Sequence, residues 1–181
     1  MENNNSFLKL SNNKTQRLTL ISLLVAVGII LSLVDKYLSS LVLPFVPTKI
    51  GLANIVVLLS IYLFKVRESL IIALLKVLIV GFILGGFVAF VISLVGTLLS
   101  FLGMVIFKKF LKERISPVGV SAVGGFLHII GQLFVSTILF SFYDIVIYYG
   151  GILVLISLIS SILIGLIVLK ILRDYKLKEV V

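Results

Sequence analysis

Lys76 is the residue of this chain whose type and position most strongly indicate a binding function. It lies in the middle of an apolar run, residues 69–81. A charge at membrane depth costs a few kcal/mol or more, so such a residue usually faces the interior of a helical bundle and marks a ligand or ion site. The alternative is snorkelling, in which the long side chain carries its ammonium to the membrane surface. Lys76 is roughly 10 Å from the start of the run at about 1.5 Å per residue, so both interpretations stay open.

His128 and Gln132 form a second candidate site. They are four residues apart and share one helix face, and Gly124, Gly125 and Gly131 beside them let a neighbouring helix approach closely. No second histidine or nearby carboxylate has the spacing of metal ligands, so we expect no metal. The pair either contacts a ligand or is part of the hydrogen-bonded structure of the bundle.

A third candidate site covers residues 47–54, where another apolar run begins. Lys49 can attract an anionic solute at the membrane surface, and Asn54 needs a hydrogen-bonding partner inside the membrane. A helix that starts near Gly51 would also offer backbone N–H groups to an anion. The alternative is an ordinary turn between a loop and a helix, with a lysine at the interface.

The composition indicates a membrane protein. Of the 181 residues, 61% are hydrophobic and 13% charged, and the mean hydropathy is +1.32, whereas soluble domains carry about 25% charge. No cysteine is present, so we expect no disulfide, thiol nucleophile or iron–sulfur site. The net charge of +9 comes from basic residues at the ends of apolar runs, a pattern typical of membrane flanks. We therefore expect a lipid bilayer, and no nucleic acid, as the partner of these charges.

Apolar runs bounded by charges, glycine or proline predict six membrane helices. A span needs about 20 residues, so the second and third runs are short. Pro44 and Pro47 prevent a continuous helix before the second run, so residues 35–49 are expected to be a loop folded over the bundle, and a second loop is expected at residues 141–151. The predicted organisation is a polar segment 1–17, one six-helix domain 18–170 and a basic tail 171–181. The six runs are residues 18–34, 50–64, 69–84, 87–107, 118–140 and 145–170.

The distribution of lysine and arginine predicts the orientation of these helices. With a cytoplasmic amino terminus, thirteen basic residues lie inside and only Lys36 and Lys49 lie outside, in agreement with the positive-inside rule. Both termini are therefore expected in the cytoplasm, and the two long loops on the outer face. The inside set is Lys9, Lys14, Arg17, Lys65, Arg67, Lys108, Lys109, Lys112, Arg114, Lys170, Arg173, Lys176 and Lys178.

Nothing in the sequence favours an enzyme. Asp35, Asp144 and Asp174 are too scattered for the magnesium site that diphosphate chemistry needs, and there is no phosphate-binding Gly-x-x-x-x-Gly-Lys-Ser/Thr loop. We expect no catalytic residue and no cofactor. Since no carboxylate falls within the six runs, a proton relay through Lys76 is not expected either.

Small residues four apart mark three helix faces that allow close contact between helices. Each face either packs inside the bundle or docks another membrane subunit. The three faces are Ser22 with Ala26, Gly96 with Ser100, and Ser157 with Ser161 and Gly165.

Two segments resemble a family of small bacterial membrane proteins known as the Gx transporter family or heptaprenyl diphosphate synthase component I. The segments are Lys-x-Gly-Leu-Ala-Asn at residues 49–54 and Gly-Gly-x-x-His-x-x-Gly-Gln at residues 124–132, and the likeness extends over about residues 18–170. In that family an arginine is common at the position of Lys76, and an asparagine at the position of Ile129.

This resemblance implies an architecture and a function. The family is similar to the S components of energy-coupling-factor (ECF) transporters, which are six-helix bundles of the bacterial plasma membrane with a capping loop after the first helix. S components bind vitamins or related molecules from outside and work with a transmembrane coupling subunit and two ATPase subunits. The likeness implies that Ser22 and Ala26 dock the coupling subunit and that residues 35–49 form the lid. The second family name implies an alternative, a membrane subunit associated with polyprenyl diphosphate and quinone biosynthesis.

We therefore expect an all-α, S-component-like, six-helix membrane bundle with a solute cavity in its outer half. The solute is expected to be a small molecule, anionic or vitamin-like. Asp35 or Asp144 is available to pair with Lys76 or Lys49 when the site is empty. The expected substrate-binding residues are Lys49, Asn54, Lys76, His128, Gln132, Tyr148 and Tyr149, of which the two tyrosines, in the last outer loop, would stack on or hydrogen-bond a ring.

Overall fold

The computed structural model describes residues 14–42, 51–84, 86–140 and 143–180, and these are helical apart from short turns. The predicted all-α architecture with six helices is confirmed. Lys49 and residues 43–48 of the predicted lid lie outside the described residues. The helices are α1 (Lys14–Val42), α2 (Asn54–Leu63), α3 (Val66–Leu84), α4 (Phe87–Leu111), α5 (Pro117–Phe140) and α6 (Tyr143–Val180), with one 3₁₀ turn, Lys112–Arg114, before α5.

Four of these helices contain segments that are long and apolar enough to cross a membrane. At most half of the most apolar part of each segment is buried inside the protein, so the rest is left to face lipid. The ten-residue α2 is too short to span, and α3 carries three charged residues. The chain is therefore a multi-pass membrane protein. The four segments are Lys14–Leu41, Phe87–Leu111, Pro117–Phe140 and Tyr148–Asp174.

The first predicted loop starts too early, because α1 continues to Val42. The charges of Asp35 and Lys36 were interpreted as the end of a helix, but Asp35 continues a buried face formed with Ser32 and Ser39. The spacing of these three residues is helical, so their side chains share one stripe of α1. Asp35 thus lies within a membrane helix, and the expectation that no carboxylate does so is wrong.

The second predicted loop, residues 141–151, is also wrong where the structure describes it. α6 begins at Tyr143 and continues to Val180, through most of the predicted basic tail. Tyr148 and Tyr149 are consequently helical, with 75% and 53% of their surfaces exposed.

The short helix α2 is the centre of the bundle. It contacts each of the other five α-helices, and Val57 and Leu58 are completely buried in it. Around it, α3, α4, α5 and α6 pack in chain order, and α1 packs on α3. Helices α1 and α6 are thus the first and last members of this packing series. Among the described residues they do not touch each other, and α2 contacts both.

Glycine allows α5 to pack closely on both neighbours. On the α4 side, a Cβ added to Gly131 would lie 3.0 Å from the Cα of Gly96. On the α6 side, Ser157 Oγ donates a hydrogen bond to the Gly125 carbonyl at 3.0 Å, and a Cβ on Gly125 would overlap Ser161. The small-residue faces predicted on α4 and α6 are therefore internal packing surfaces.

Charged side chains hold the helices together at the end of the bundle where α1 starts. Arg17 on α1 forms a 2.7 Å ion pair with Glu68 on α3. Lys108 on α4 donates a 2.6 Å hydrogen bond to the Ile61 carbonyl, near the end of α2, and its ammonium lies 4.0 Å from the centroid of the Tyr62 ring. A cation at a helix carboxyl end is stabilising because it meets the negative end of the helix dipole.

Candidate functional site

A polar cavity lies at the end of the bundle where α1 ends and α2 begins. The space open to the centre of a water molecule is about 30 Å³, enough for about two waters. Its apolar wall includes Val77, Val80 and Phe90. The polar side chains that line it come from five helices and are Ser32, Asp35, Asn54, Lys76, Ser93, Thr97 and His128.

Lys76 reaches this cavity from the middle of α3. Its residue surface is only 3% exposed, and its Nζ donates a 3.4 Å hydrogen bond to the carbonyl of Ala53, just before α2. The ammonium is thus directed into the bundle, and the snorkelling alternative does not describe this structure. A buried ammonium is costly, so this position needs the polar surroundings that the cavity provides.

Asp35 contributes a carboxylate to the same cavity. It is 1% exposed, and both of its oxygens accept the N–H of Gly51, at 3.0 and 3.2 Å. The sequence predicted that backbone N–H groups near Gly51 would attract an anion, and in the structure the anion is a side chain of the protein itself. Hydrogen bonds to a charged acceptor are stronger than those between neutral groups, so this contact ties α1 to the start of α2.

Gly51 allows three helices to converge at the cavity. Its φ of +100° is in the region that favours glycine, and its carbonyl accepts the backbone N–H of Asn54 at 2.9 Å. A Cβ at Gly51 would lie 3.4 Å from Asn54 Nδ2 and 3.6 Å from His128 Cδ2. The glycine of the 49–54 motif and the histidine of the 124–132 motif, far apart in sequence, therefore meet at one wall of the cavity.

The side chain of Gln132 lies within hydrogen-bonding distance of the His128 ring. Gln132 Nε2 and His128 Nε2 are 2.7 Å apart, and both residues are buried, at 0% and 4% exposure. A Cβ at Gly96 would approach Gln132 Cγ to 2.9 Å, so this glycine of α4 makes room for the pair. The predicted common face of His128 and Gln132 is present, but only His128 lines the described cavity.

The remaining predicted site residues are placed elsewhere or not described. Tyr148 and Tyr149 are on the exposed surface of α6 and are not among the described residues that line the cavity. Lys49 lies outside the described residues. Sequence reasoning named Asp35 only as an available partner of Lys76 or Lys49, and it missed Ser32, Ser93 and Thr97. The four-residue spacing of Ser93 and Thr97 within an apolar run was a usable signal for a polar helix face.

The site combines opposite charges, hydroxyl groups and an imidazole around one small cavity. Among the described residues, no three His, Cys, Asp or Glu side chains come together to hold a metal ion. What the described residues offer is hydrogen bonding and charge compensation for a small polar molecule.

The third small-residue face, on α1, differs from the other two. Ser22 and Ala26 are exposed on the surface of this helix. α1 contacts only α2 and α3 among the described elements, and it is the least buried of the four candidate spans. Its small-residue face is therefore open to lipid or to another membrane protein.

Comparison with known proteins assigns the family. The family model for heptaprenyl diphosphate synthase component I matches residues 24–171, a range that includes all the residues that line the cavity. No protein in the curated set and no solved structure shows significant similarity. The chain belongs to the heptaprenyl diphosphate synthase component I family.

Proposed function

We propose that this protein is the solute-binding membrane subunit of an uptake transporter of the ECF type, similar to an S component, in the plasma membrane of a bacterium. It binds a small molecule from the outer face and catalyses no reaction itself. The observation that carries the proposal is the cavity lined by polar side chains, with Lys76 and Asp35 buried in its wall.

The cost of these buried charges supports a binding role. Replacing a buried ion pair by apolar residues is often neutral or stabilising, so fold stability alone does not explain the presence of such groups. Ionisable residues at membrane depth are retained chiefly where they serve a ligand or ion. Lys76 and Asp35 reach the cavity from two different helices, α3 and α1, as expected of a site built to hold a ligand.

Charge distribution supports an outward-facing cavity. Arg17, Lys65 and Lys108 lie at the end of the bundle opposite the cavity, near the start of α1 and the ends of α2 and α4. The positive-inside rule places that end, with both termini, in the cytoplasm. The cavity then opens to the outer face, where an uptake protein meets its solute.

Uptake of this kind needs partners that supply energy. We propose a transmembrane coupling subunit with two ATPase subunits, docked on the exposed small-residue face of α1 that contains Ser22 and Ala26. Small residues let a partner helix approach closely in the membrane, where close packing is a main source of association energy.

The family assignment favours a second candidate function. As a heptaprenyl diphosphate synthase component I, the chain would be a membrane subunit associated with polyprenyl diphosphate and quinone biosynthesis. A soluble partner would then elongate the polyprenyl chain. The cavity would either hold an isoprenoid diphosphate or have only a structural role.

Mass spectrometry of small molecules released from the purified protein distinguishes these functions. We expect a polar solute to co-purify with the wild type and with Lys109→Met, whose lysine is exposed on α4, and to be lost in Lys76→Met. Recovery of an isoprenoid diphosphate, with elongation activity when a soluble partner is added, would establish the second function instead. Equal solute content in all three proteins would show that Lys76 does not contribute to solute binding.

A further inference from the structure

We propose that the turn between α4 and α5 binds the headgroup of an anionic phospholipid. The inference goes beyond the proposed uptake function and does not depend on it. It starts from two exposed cations, Lys112 and Arg114, in the 3₁₀ turn that follows α4. Neither side chain forms a hydrogen bond or an ion pair with another of the described residues. Both are therefore available to a partner outside the protein.

The fold accounts for the first cation of this segment but not for these two. Lys108 binds the Ile61 carbonyl, so its charge stabilises the packing of α4 on α2. Lys112 and Arg114 have no comparable contact within the described protein. Glu113 stands between them in the sequence, and the segment 108–114 keeps a net positive charge. The charge that remains is directed to the surroundings of the bundle.

The backbone of Lys112 supports a role for its side chain outside the fold. Its φ is +46°, in the region that glycine adopts at the lowest cost. It ends α4, a place where a left-handed residue is usually glycine. A lysine here costs conformational free energy, and no contact of its side chain with the described residues offsets that cost. A partner that uses the ammonium would explain why a lysine is present.

Exposed apolar side chains lie next to the two cations in the chain. Phe110 is 80% exposed, and Phe107 and Leu111 are exposed as well. The apolar span of α4 ends at Leu111, so Lys112 and Arg114 follow at the point where hydrocarbon gives way to lipid headgroups. The turn thus combines an apolar surface with two cations, and a phospholipid combines acyl chains with a phosphate.

The surrounding surface adds to the positive potential. Clusters of basic residues at the ends of membrane helices attract anionic lipids, and the attraction increases with the number of lysines and arginines near the surface. Where the structure describes this end of the bundle, basic residues outnumber acidic ones on the surface. The exposed basic residues are Lys14, Lys65, Arg67, Lys109, Lys112, Arg114, Lys170 and Arg173, and the exposed acidic residue is Asp174.

Charge and apolar surface together favour a phospholipid over an acidic soluble protein. An acidic protein surface could pair with the cations, but the apolar residues beside them belong to a segment long and apolar enough to lie in the membrane. A phosphate next to an acyl chain matches both parts, and it suits the planar, multiply donating guanidinium of Arg114. The structural alternative is that these charges only orient the chain in the membrane. That role predicts no preference for one lipid headgroup over another.

Three compounds test the inference on the full-length protein, purified in a neutral detergent and washed free of lipid. Dioleoyl phosphatidylglycerol is an anionic lipid, dioleoyl phosphatidylcholine has the same chains without net charge, and glycerol 3-phosphate has the charge without the chains. Each is titrated while the melting temperature Tm is followed by circular dichroism. We expect phosphatidylglycerol to raise the Tm by about 2–4 °C at saturation, and the other two compounds to leave it unchanged.

Variants assign the effect to the turn. In the double variant Lys112→Gln with Arg114→Gln, the concentration of phosphatidylglycerol needed for half of the shift should rise about tenfold or more. The matched control is Arg67→Gln with Lys170→Gln, which removes two exposed cations from the same end of the bundle and should keep the wild-type titration. Lys112→Gly should fold at least as well as the wild type, because its φ suits glycine, and should still bind phosphatidylglycerol more weakly.

Three outcomes overturn the inference. Equal shifts with the two lipids would show that the headgroup charge is not recognised. Equal weakening in the two double variants would show a diffuse attraction spread over the whole end of the bundle. No shift with phosphatidylglycerol would leave the turn to another partner, such as an acidic protein surface. If the double variant at the turn does not fold, the lipid preference of the wild type and the titration of Lys112→Gly decide.

Discussion

Gly28 on α1 and Lys76 on α3 are in direct contact. A Cβ added to Gly28 would lie 3.1 Å from Lys76 Cδ and 3.2 Å from Lys76 Cγ. Gly28 is buried, and its carbonyl accepts a 2.7 Å hydrogen bond from Ser32 Oγ. Because glycine has no side chain, the aliphatic part of the lysine can cross the surface of α1 on its way to the Ala53 carbonyl. The position of the ammonium therefore depends on α1 as well as on α3.

The contact predicts the effect of Gly28→Ala. Alanine in place of glycine stabilises a helix by about 1 kcal/mol, but here the new methyl group must push the Lys76 side chain aside, and overpacking costs about 1–3 kcal/mol. We expect no net gain in stability and a lower content of co-purified solute. Gly151→Ala is the matched control, since nothing lies within 4 Å of a Cβ there. Equal thermal stability and solute content in both variants would refute the proposed role of Gly28.

The hydrogen bonds between Asp35 and Gly51 predict a second effect. Asparagine at position 35 keeps one oxygen acceptor but loses the charge, and hydrogen bonds to charged groups contribute about 1.5–3 kcal/mol, against about 1 kcal/mol for neutral ones. We expect Asp35→Asn to lower the free energy of unfolding by about 1–2 kcal/mol. The measurement is thermal unfolding in detergent, with Asp174→Asn, an exposed position on α6, as the control. An unchanged Tm would mean that this contact contributes little to stability.

Local rules predicted part of the site from sequence. The four-residue spacing of His128 and Gln132 indicated a shared helix face, and their side chains are 2.7 Å apart. The free-energy cost of a charge in an apolar run indicated that the Lys76 side chain needs polar surroundings. In the structure Lys76 lines the cavity. Both inferences depend only on helix geometry and on the solvation of one residue, which a sequence contains.

Other parts of the site depend on contacts that no local pattern contains. The burial of Asp35 is made possible by the Gly51 N–H, sixteen residues further along the chain. Without that partner, a charged residue after an apolar run resembles the end of a helix, which is why α1 was predicted too short. Tyr148 was assigned to the predicted loop 141–151, yet α6 continues through Gly150 and Gly151. Packing between helices, such as that of Leu153 on Ile129, can override the low helix propensity of glycine.

The contacts of Lys108 predict a difference between two adjacent lysines. Its ammonium binds the Ile61 carbonyl and lies over the ring of Tyr62, whereas Lys109 is exposed. A cation–π contact and a charge-assisted hydrogen bond each contribute about 1 kcal/mol or more. We expect Lys108→Met to lower the free energy of unfolding by about 1–3 kcal/mol, measured by thermal denaturation. Lys109→Met should leave it within about 0.5 kcal/mol of the wild type, and equal losses would contradict this assignment.

The contact between α5 and α6 predicts a strong effect of Gly125→Ala. The added methyl group would overlap Ser161 and lie 3.2 Å from the Ser157 carbonyl, so the two helices would have to separate. That separation would also stretch the hydrogen bond from Ser157 to the Gly125 carbonyl. We expect a loss of about 3 kcal/mol or more, visible as a lower yield of folded protein in size-exclusion chromatography. Gly151→Ala serves again as the control, and a normal yield of both variants would show that α5 and α6 tolerate a wider separation.

The exposed face of α1 predicts where the proposed coupling subunit would bind. Leucine at position 26 would project from a surface whose small residues, Ser22 and Ala26, allow close approach by a partner helix. Overpacking at this contact would destabilise the complex by about 1–3 kcal/mol. The middle of that range corresponds to a loss in affinity of about tenfold or more. In pull-downs with the coupling subunit and its two ATPases, Ala26→Leu should therefore recover much less of the complex than the wild type or Gly151→Leu, an exposed change on α6. Because Ala26 is exposed and is not among the described residues that line the cavity, the variant should still retain its solute. Full recovery of the complex with Ala26→Leu would place the coupling subunit on another face of the bundle.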